Sequence, residues 1–184
     1  VLGSRGLGGV YKRQGIRYGY IEQLDDELLR ISKESFDALS FNCYALSPDH
    51  EKMNHALEIS GLPMIIGEYH FGTVDRGLAQ SLWQVNSQKE RGDAFRYYTE
   101  NAFAHRGLIG TGWFRWIDQN INGRTDGENY NCGFIDVTDR PYPYMVDAAI
   151  ETAKSLYEIH SGTKTPFHQT PNAVGHSPIP DLWE

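Results

Sequence analysis

The chain has 184 residues, an apolar fraction of 40% and a formal net charge of −7, values that fit one globular domain with a sizeable core. The negative charge disfavours a nucleic acid or an anionic membrane as a partner, because both require clustered Lys and Arg. No apolar run approaches the roughly 18 residues of a membrane span, so we expect no membrane partner.

The first segment, residues 1–14, resembles the translated read-through of a sequencing adapter. A leader of that origin would not have evolved with the rest of the chain, so we expect no packed role for it and expect the gene to have been cut here. The alternative is a Gly-rich flexible leader. Its glycines match no phosphate-binding loop, because no Lys-Ser/Thr pair follows them.

Strands and helices are predicted to alternate from Gly15 onward. Strands are predicted at Ile16–Ile21, Phe36–Tyr44, Pro63–Phe71 and Leu108–Asp118. The helices that follow them are predicted from Asp25 and Asp26 as caps, from Ser47 as N-cap before Pro48, from a capping box between Ser87 and Glu90, and from the helical spacing of Val146, Ala149, Ile150, Ala153, Tyr157 and His160. The Pro-rich residues 163–184 are predicted to form an irregular tail.

Four strand-helix units in succession predict an α/β fold with a parallel sheet and right-handed crossovers. A closed eight-stranded barrel takes about 250 residues. Residues 15–162 are therefore most simply interpreted as the last four units of a (β/α)8 TIM barrel. An open doubly wound sheet is the alternative.

Glu68 is the centre of the predicted site, because it follows a short, continuously apolar strand and Gly67. Parallel α/β proteins place their chemistry at the carboxyl ends of strands. Asn42 and Tyr44 end the preceding strand, so we expect them at the same edge of the sheet. The loop after Glu68 crowds further ionisable groups together, namely His70, Asp75 and Arg76.

Three segments resemble the C-terminal part of the β-agarases of glycoside hydrolase family 50: GEYHFGTVDRG at 67–77, GWFRWIDQNINGR at 112–124, and DGENYNCGFIDVTDRPYP at 126–143. That family belongs to the clan of retaining β-glycosidases built on the TIM barrel. The resemblance runs from about Gly15 to His160. It implies a glycoside hydrolase that cleaves a β-linked galactan, most simply agarose, with a polysaccharide or oligosaccharide as its substrate and an extracellular or periplasmic location.

The resemblance also implies roles for individual residues. Glu68 would be the catalytic nucleophile, Tyr44 would hydrogen-bond its carboxylate, and Trp113 and Trp116 would line the sugar subsites. The acid/base Glu of the clan follows the fourth strand, which would lie upstream of Gln14, so we expect this chain alone to be inactive. The remaining candidates for substrate contact are Asn42, His70, Asp75, Arg76, Asp118, Gln119, Glu128 and Asn129.

Other functions remain open at this point. A retaining β-galactosidase or β-glucosidase of the same clan would share these features, and so would a carbohydrate-binding barrel that has lost catalysis. A metal-dependent hydrolase using His70 is disfavoured, because Glu-x-His lacks a third ligand at a telling spacing. We therefore expect neither a metal nor another cofactor. Cys43 and Cys132 sit in no metal-type spacing and leave the compartment undetermined.

Overall fold

The computed structural model describes residues 15–175, so the predicted leader and the last part of the predicted tail lie outside the described residues. The strands are β1 (Gly15–Tyr20), β2 (Ala38–Asn42), β3 (Met64–Tyr69), β4 (Trp83–Gln84), β5 (Leu108–Trp113) and β6 (Val174–Gly175). The helices are α1 (Asp26–Ser35), α2 (His50–Ser60), α3 (Gln88–Phe103) and α4 (Pro143–His160), with a short 3-10 turn at Ile21–Gln23.

The main sheet has four strands in the order β1-β2-β3-β5, and every neighbouring pair is parallel. Each of these strands is followed by a helix, as four successive strand-helix units require. The predicted α/β architecture with a parallel sheet is confirmed. β4 and β6 form a separate antiparallel pair.

Side-chain caps begin three of the helices. Asp25 accepts the backbone N–H of Leu28 at 2.8 Å, and Ser87 accepts that of Glu90 at 3.2 Å, so the predicted cap residues of α1 and α3 are confirmed. The reciprocal half of the predicted capping box is wrong, because the Glu90 side chain accepts Asn86 N–H at 2.9 Å. The predicted cap of α2 is wrong by two residues, because Asp49 caps α2 by accepting Lys52 N–H at 3.0 Å. The start of a helix follows the side chain that reaches the free N–H groups.

The two faces of the sheet differ because strand side chains alternate. One face carries the core that the helices cover, with Leu39, Phe41, Met64, Ile66 and Leu108 wholly buried. The opposite face carries Arg17, Ser40 and Ile65, which line up across β1, β2 and β3 and are exposed or half-buried. The described part of the chain therefore covers one face of its sheet and leaves the other accessible.

The last helix and the tail return to the body of the protein. α4 packs along α3 and buries Met145, Ala148, Thr152, Ser155 and Ile159. The tail is irregular up to β6, where it pairs with β4. Within residues 15–175, no helix is long and apolar enough to cross a membrane.

Candidate active site

Glu68 lies at the C-terminal end of β3, between strands that bring polar side chains to the same edge. β2 pairs Asn42 with Glu68 in parallel register. Gly67 permits this close arrangement, because a Cβ at position 67 would lie 2.9 Å from Ser40 Oγ and 3.2 Å from Asn42 Oδ1. A side chain there would push the Glu68 carboxylate away from its neighbours.

The Glu68 carboxylate is held by three donors, from β1, from the end of β2 and from the loop just after β2. Its Oε2 accepts Tyr44 O–H at 2.9 Å and Asn42 Nδ2–H at 3.0 Å. Its Oε1 accepts the guanidinium of Arg17, which also donates to Asn42 Oδ1 at 3.0 Å. The Glu68 side chain keeps 27% of its surface exposed, so a ligand at this edge could reach it while the donors fix its orientation.

Tyr44 remains a hydrogen-bond donor to Glu68. Burial raises the pKa of its phenol far above the usual value, and the charge of Glu68 together with the hydrogen bond to it raises that pKa further. Glu128 also raises the pKa of Tyr44 through its charge, more weakly. Glu128 therefore lies within electrostatic reach of the site.

His70 lies behind Tyr44, with its ring centroid 4.9 Å from that of Tyr44. Its Nε2 accepts Leu82 N–H at 3.1 Å, so the proton is on Nδ1, which donates to the Phe114 carbonyl at 3.1 Å. The ring is 1% exposed, and burial lowers its pKa to about 3. Both ring nitrogens have hydrogen-bond partners within the protein, and substrate contact by His70 stays a prediction.

Asp118 and Gln119 are buried inside the loop that follows β5. Asp118 accepts Gly133 N–H at 2.7 Å, Asn131 Nδ2–H at 2.8 Å and Tyr142 O–H at 2.6 Å. Gln119 accepts Tyr130 N–H at 2.7 Å and donates to Glu128 at 2.7 Å. These hydrogen bonds satisfy both buried side chains and hold the loop together, and substrate binding by either residue stays a prediction.

Trp113 and Trp116 occupy different environments. The Trp113 ring faces the helices, packs against Tyr69, Phe71, Phe95 and Phe134, and donates its indole N–H to the Cys132 carbonyl at 2.7 Å. The ring is half-buried among these aromatic neighbours, and its role in a sugar subsite stays a prediction. Trp116 is 68% exposed and stacks one ring face on Phe134, so its predicted role remains available.

The other predicted contact residues lie in the two loops beside the site. Asp75 is held by Thr73 and by Gln88 Nε2 at 2.6 Å, and the exposed Arg76 guanidinium lies 5.5 Å from the Tyr142 ring centroid. Glu128 pairs with Arg124 at 3.3 Å. Asn129 joins the loops by accepting Ala79 N–H at 3.2 Å and donating to the Ile121 carbonyl at 3.3 Å. Substrate contact by these four residues stays a prediction.

Two residues at this edge were not predicted, Arg17 and Phe114. The sequence did contain a signal for Arg17, because it is a cation between Gly15 and Gly19 in a predicted strand. Side chains alternate along a strand, and an inward-facing position is normally apolar. Phe114 directly follows β5. Its ring lies 6.0 Å from that of His70 and 5.8 Å from the Arg124 guanidinium.

No group of three or more His, Cys, Asp or Glu side chains within residues 15–175 is arranged to hold a metal ion. Cys43 and Cys132 are free thiols and both are buried. Burial raises the pKa of Cys132 to about 12, which disfavours the thiolate needed for metal binding or nucleophilic attack.

Curated relatives of this chain are agarases. It is 39% identical to β-agarase A of Vibrio sp. (strain JT0107), over 66% of this chain and 13% of that protein. It is 37% identical to β-agarase B of the same organism, again over 66% of this chain and 13% of the relative. The chain thus spans 13% of the length of either relative. No protein-family model matches it.

Solved structures give the same comparison. The agarase AgWH50C has a TM-score of 0.70 and 37% identity, over 74% of this chain and 21% of that one. An exo-β-agarase has a TM-score of 0.70 and 36% identity, over 75% of this chain and 19% of that one. PfGH50B has a TM-score of 0.70 and 39% identity, over 73% of this chain and 19% of that one. A β-D-glucuronidase of Dictyoglomus thermophilum, at 13% identity and a TM-score of 0.53, shares the fold alone. The predicted resemblance to family 50 agarases is confirmed.

Proposed function

We propose, from the resemblance to family 50 β-agarases, that this chain is part of a retaining glycoside hydrolase that cleaves agarose. In this proposal, residues 15–162 form the last four strand-helix units of a (β/α)8 barrel. The parallel order β1-β2-β3-β5 and the accessible face of the sheet support that interpretation. The substrate is a polysaccharide or an oligosaccharide derived from it.

The geometry around Glu68 is the observation that carries the proposal. A carboxylate at the end of a parallel strand is oriented by Asn42, Tyr44 and Arg17 and keeps part of its surface accessible. A nucleophile needs this combination, because it must reach the anomeric carbon and be fixed in direction before it does so.

Glu68 attacks the anomeric carbon in the proposed reaction, and a bond forms between its carboxylate oxygen and the sugar. The glycosidic oxygen leaves with a proton from a second carboxyl group, which then activates the water that releases the sugar. Retaining enzymes place the two carboxyl groups about 5 to 5.5 Å apart. Glu128 is tied to Gln119 and Arg124 in its own loop, so we propose that the acid/base Glu comes from outside residues 15–175.

The three donors have distinct tasks in this mechanism. Tyr44 O–H and Asn42 Nδ2–H both bind Oε2, which leaves Oε1 as the oxygen nearer to attack once Arg17 yields it. Arg17 is 52% exposed at its side chain, so its contact with Oε1 can be exchanged for substrate.

Sugar recognition is proposed for the aromatic and charged groups beside Glu68. Phe114 presents a ring next to His70, and Trp116 presents an exposed ring face; flat apolar faces of this kind stack on sugar rings. Asp75, Arg76, Glu128 and Asn129 are the candidates for hydrogen bonds to sugar hydroxyls.

A chimera tests this proposal. Residues 15–160 of this chain would replace the matching segment of the Vibrio β-agarase A, and release of reducing sugar from agarose would be measured. We expect the chimera to hydrolyse agarose and Glu68→Gln to lower kcat by on the order of 10⁴-fold, because an amide cannot attack the anomeric carbon. Glu58→Gln makes the same chemical change on the exposed surface of α2 and should leave the rate unchanged.

Two outcomes would contradict parts of the proposal. A Glu68→Gln chimera that keeps the parent rate would remove Glu68 from the reaction and favour a carbohydrate-binding role for this chain. Hydrolysis of nitrophenyl β-galactoside or β-glucoside without hydrolysis of agarose would select a related retaining glycosidase instead.

A further inference from the structure

The segment that follows α4, residues 161–175, crosses the molecule as a C-terminal strap. It leaves the end of α4, contacts α3 near Phe167 and reaches β4 in the loop after Glu68. The proposed glycosidase mechanism gives this segment no role. Two sets of contacts, called its anchors here, hold it in place.

The first anchor is Glu100 on α3, which is 1% exposed. Its Oε2 accepts the backbone N–H of Phe167 at 2.7 Å, while Oε1 accepts Arg96 Nε–H at 3.0 Å and Thr152 O–H at 3.1 Å. Asn101 donates to the Phe167 carbonyl at 3.0 Å. A buried carboxylate is costly unless donors satisfy it, and the strap supplies one of the three.

The second anchor is the pairing of β6 with β4. Val174 and Gly175 lie opposite Gln84 and Trp83 in antiparallel register. Ala173 packs against the main core. A Cβ at position 175 would lie 3.0 Å from the Trp83 ring, so a larger residue there would have to displace that ring.

The opposite edge of β4 belongs to the site. Gly72 N–H donates to the Trp83 carbonyl at 2.9 Å, and Val85 N–H donates to the Gly72 carbonyl at 2.9 Å. Leu82, immediately before β4, donates its N–H to His70 Nε2 at 3.1 Å. β4 is therefore held between the C-terminal strap on one side and the residues that directly follow Glu68 on the other.

We propose that the C-terminal strap is a positioning element, which holds β4 so that His70 stays packed behind Tyr44 and Tyr44 stays bonded to Glu68. The contacts are continuous from Gly175 through Trp83 and Leu82 to His70. The role of Glu68 as the nucleophile rests on the proposed function, whereas the coupling of the C-terminal strap to His70 does not.

The test compares the 184-residue chain with two altered forms, a chain that ends at Thr170 and the Gly175→Val variant. Gln169→Ala, at an exposed position of the same segment, is the matched control. Hydrogen exchange would be measured at the amides of Gly72, Leu82 and Val85. We expect exchange there to become at least about tenfold faster in both altered forms, with no change at Leu39 and Met64 in the sheet or in the control.

The second readout is the NMR signal of the His70 imidazole. In the parent chain it should remain a neutral Nδ1–H tautomer between pH 5 and 8. Without β6, water should reach the ring and His70 should begin to titrate in that range. This readout reports the group that touches Tyr44 and is not moved by a general loss of tail packing.

Two results would overturn the inference. One is unchanged exchange at Gly72, Leu82 and Val85 together with a silent His70 in both altered forms. The other is equal acceleration at all amides, including Leu39 and Met64, which would mean that the tail affects global stability alone. Neither measurement uses a sugar, so failure of the glycosidase assay would not decide it.

Discussion

Tyr44 donates its phenolic hydrogen to Oε2 of Glu68 across 2.9 Å, and the neutral ring of His70 supports Tyr44 from behind. The hydrogen bond joins the segment just after β2 to the end of β3. Because burial and the Glu68 charge keep Tyr44 protonated, the donor is present across the pH range in which a glycosidase would work.

The Tyr44→Phe change in the chimeric agarase should lower kcat by about 10- to 100-fold with little change in KM. One hydrogen bond to a charged group contributes roughly 1.5 to 3 kcal/mol, and Phe keeps the packing against His70. Tyr18→Phe is the matched control, because the Tyr18 hydroxyl bonds Ser32 at 2.7 Å on the helix-covered face. Equal kcat in both variants would argue against a role for Tyr44.

Acid should destabilise the chain through His70. Its pKa is lowered to about 3 in the folded protein and is about 6.5 in the unfolded chain. Between these values the unfolded state binds more protons, so stability is complete above about pH 6.5 and falls as the pH drops toward 3. From pH 7.5 to 4.5 we expect His70 to account for a loss of roughly 2 to 3 kcal/mol in the free energy of unfolding.

Urea unfolding of the parent chain and of His70→Gln at pH 7.5 and 4.5 isolates the contribution of His70 to the free energy of unfolding. His70→Gln should be less stable at pH 7.5, because Leu82 and Phe114 lose well-placed partners, and its stability should depend less on pH. An identical pH dependence in the two proteins would show that His70 is not the responsible group.

Replacement of the buried carboxylate on α3 should destabilise the fold. In Glu100→Gln an amide N–H₂ replaces an oxygen that accepts either Phe167 N–H or Arg96 and Thr152. We expect the free energy of unfolding to fall by about 2 to 4 kcal/mol. Glu151→Gln, whose carboxylate bonds Lys154 on the surface of α4, should change stability very little, and a comparable loss there would contradict the role given to Glu100.

Truncation of the two predicted subsite tryptophans should have different effects, on stability at Trp113 and on sugar binding at Trp116. Trp113→Ala should lower the free energy of unfolding by about 3 kcal/mol, because the ring fills an aromatic cluster between sheet and helices. Trp116→Ala should cost less than about 1 kcal/mol but weaken agaro-oligosaccharide binding by about three- to tenfold. Calorimetric titration of the chimera and urea unfolding of this chain separate the two effects, and a stability loss at Trp116 would reverse the assignment.

The sequence predicted the first three strands to within two residues at each end, because short apolar runs and their flanking glycines are local signals. The fourth strand was predicted to end at Asp118, which is wrong by five residues, because β5 ends at Trp113. Glu68, Asn42 and Tyr44 follow such runs, and parallel pairing then brings them to one edge without further information. Arg17 was missed, because its contact with Glu68 spans two strands and depends on which face of β1 it occupies.

The loop residues could not be assigned from sequence, because a polar side chain can satisfy either a substrate or its own loop. Asp118 and Gln119 do the second. The same difficulty affects α4, where the apolar stripe that predicts the helix includes the exposed Ile150 and Tyr157. The buried face instead includes Thr152, whose hydroxyl donates to Glu100 at 3.1 Å.

Covalent trapping tests the central claim most directly. The chimera would be incubated with a 2-deoxy-2-fluoro-β-galactoside that carries a dinitrophenolate leaving group, so that the glycosyl-enzyme forms and its hydrolysis is slow. We predict that the reagent releases one dinitrophenolate per active site. Peptide mass spectrometry should then show a fluorogalactosyl group on Glu68. A label on another carboxylate such as Glu128, or agarose hydrolysis by a chimera that never acquires a label, would contradict the assignment of Glu68 as the nucleophile.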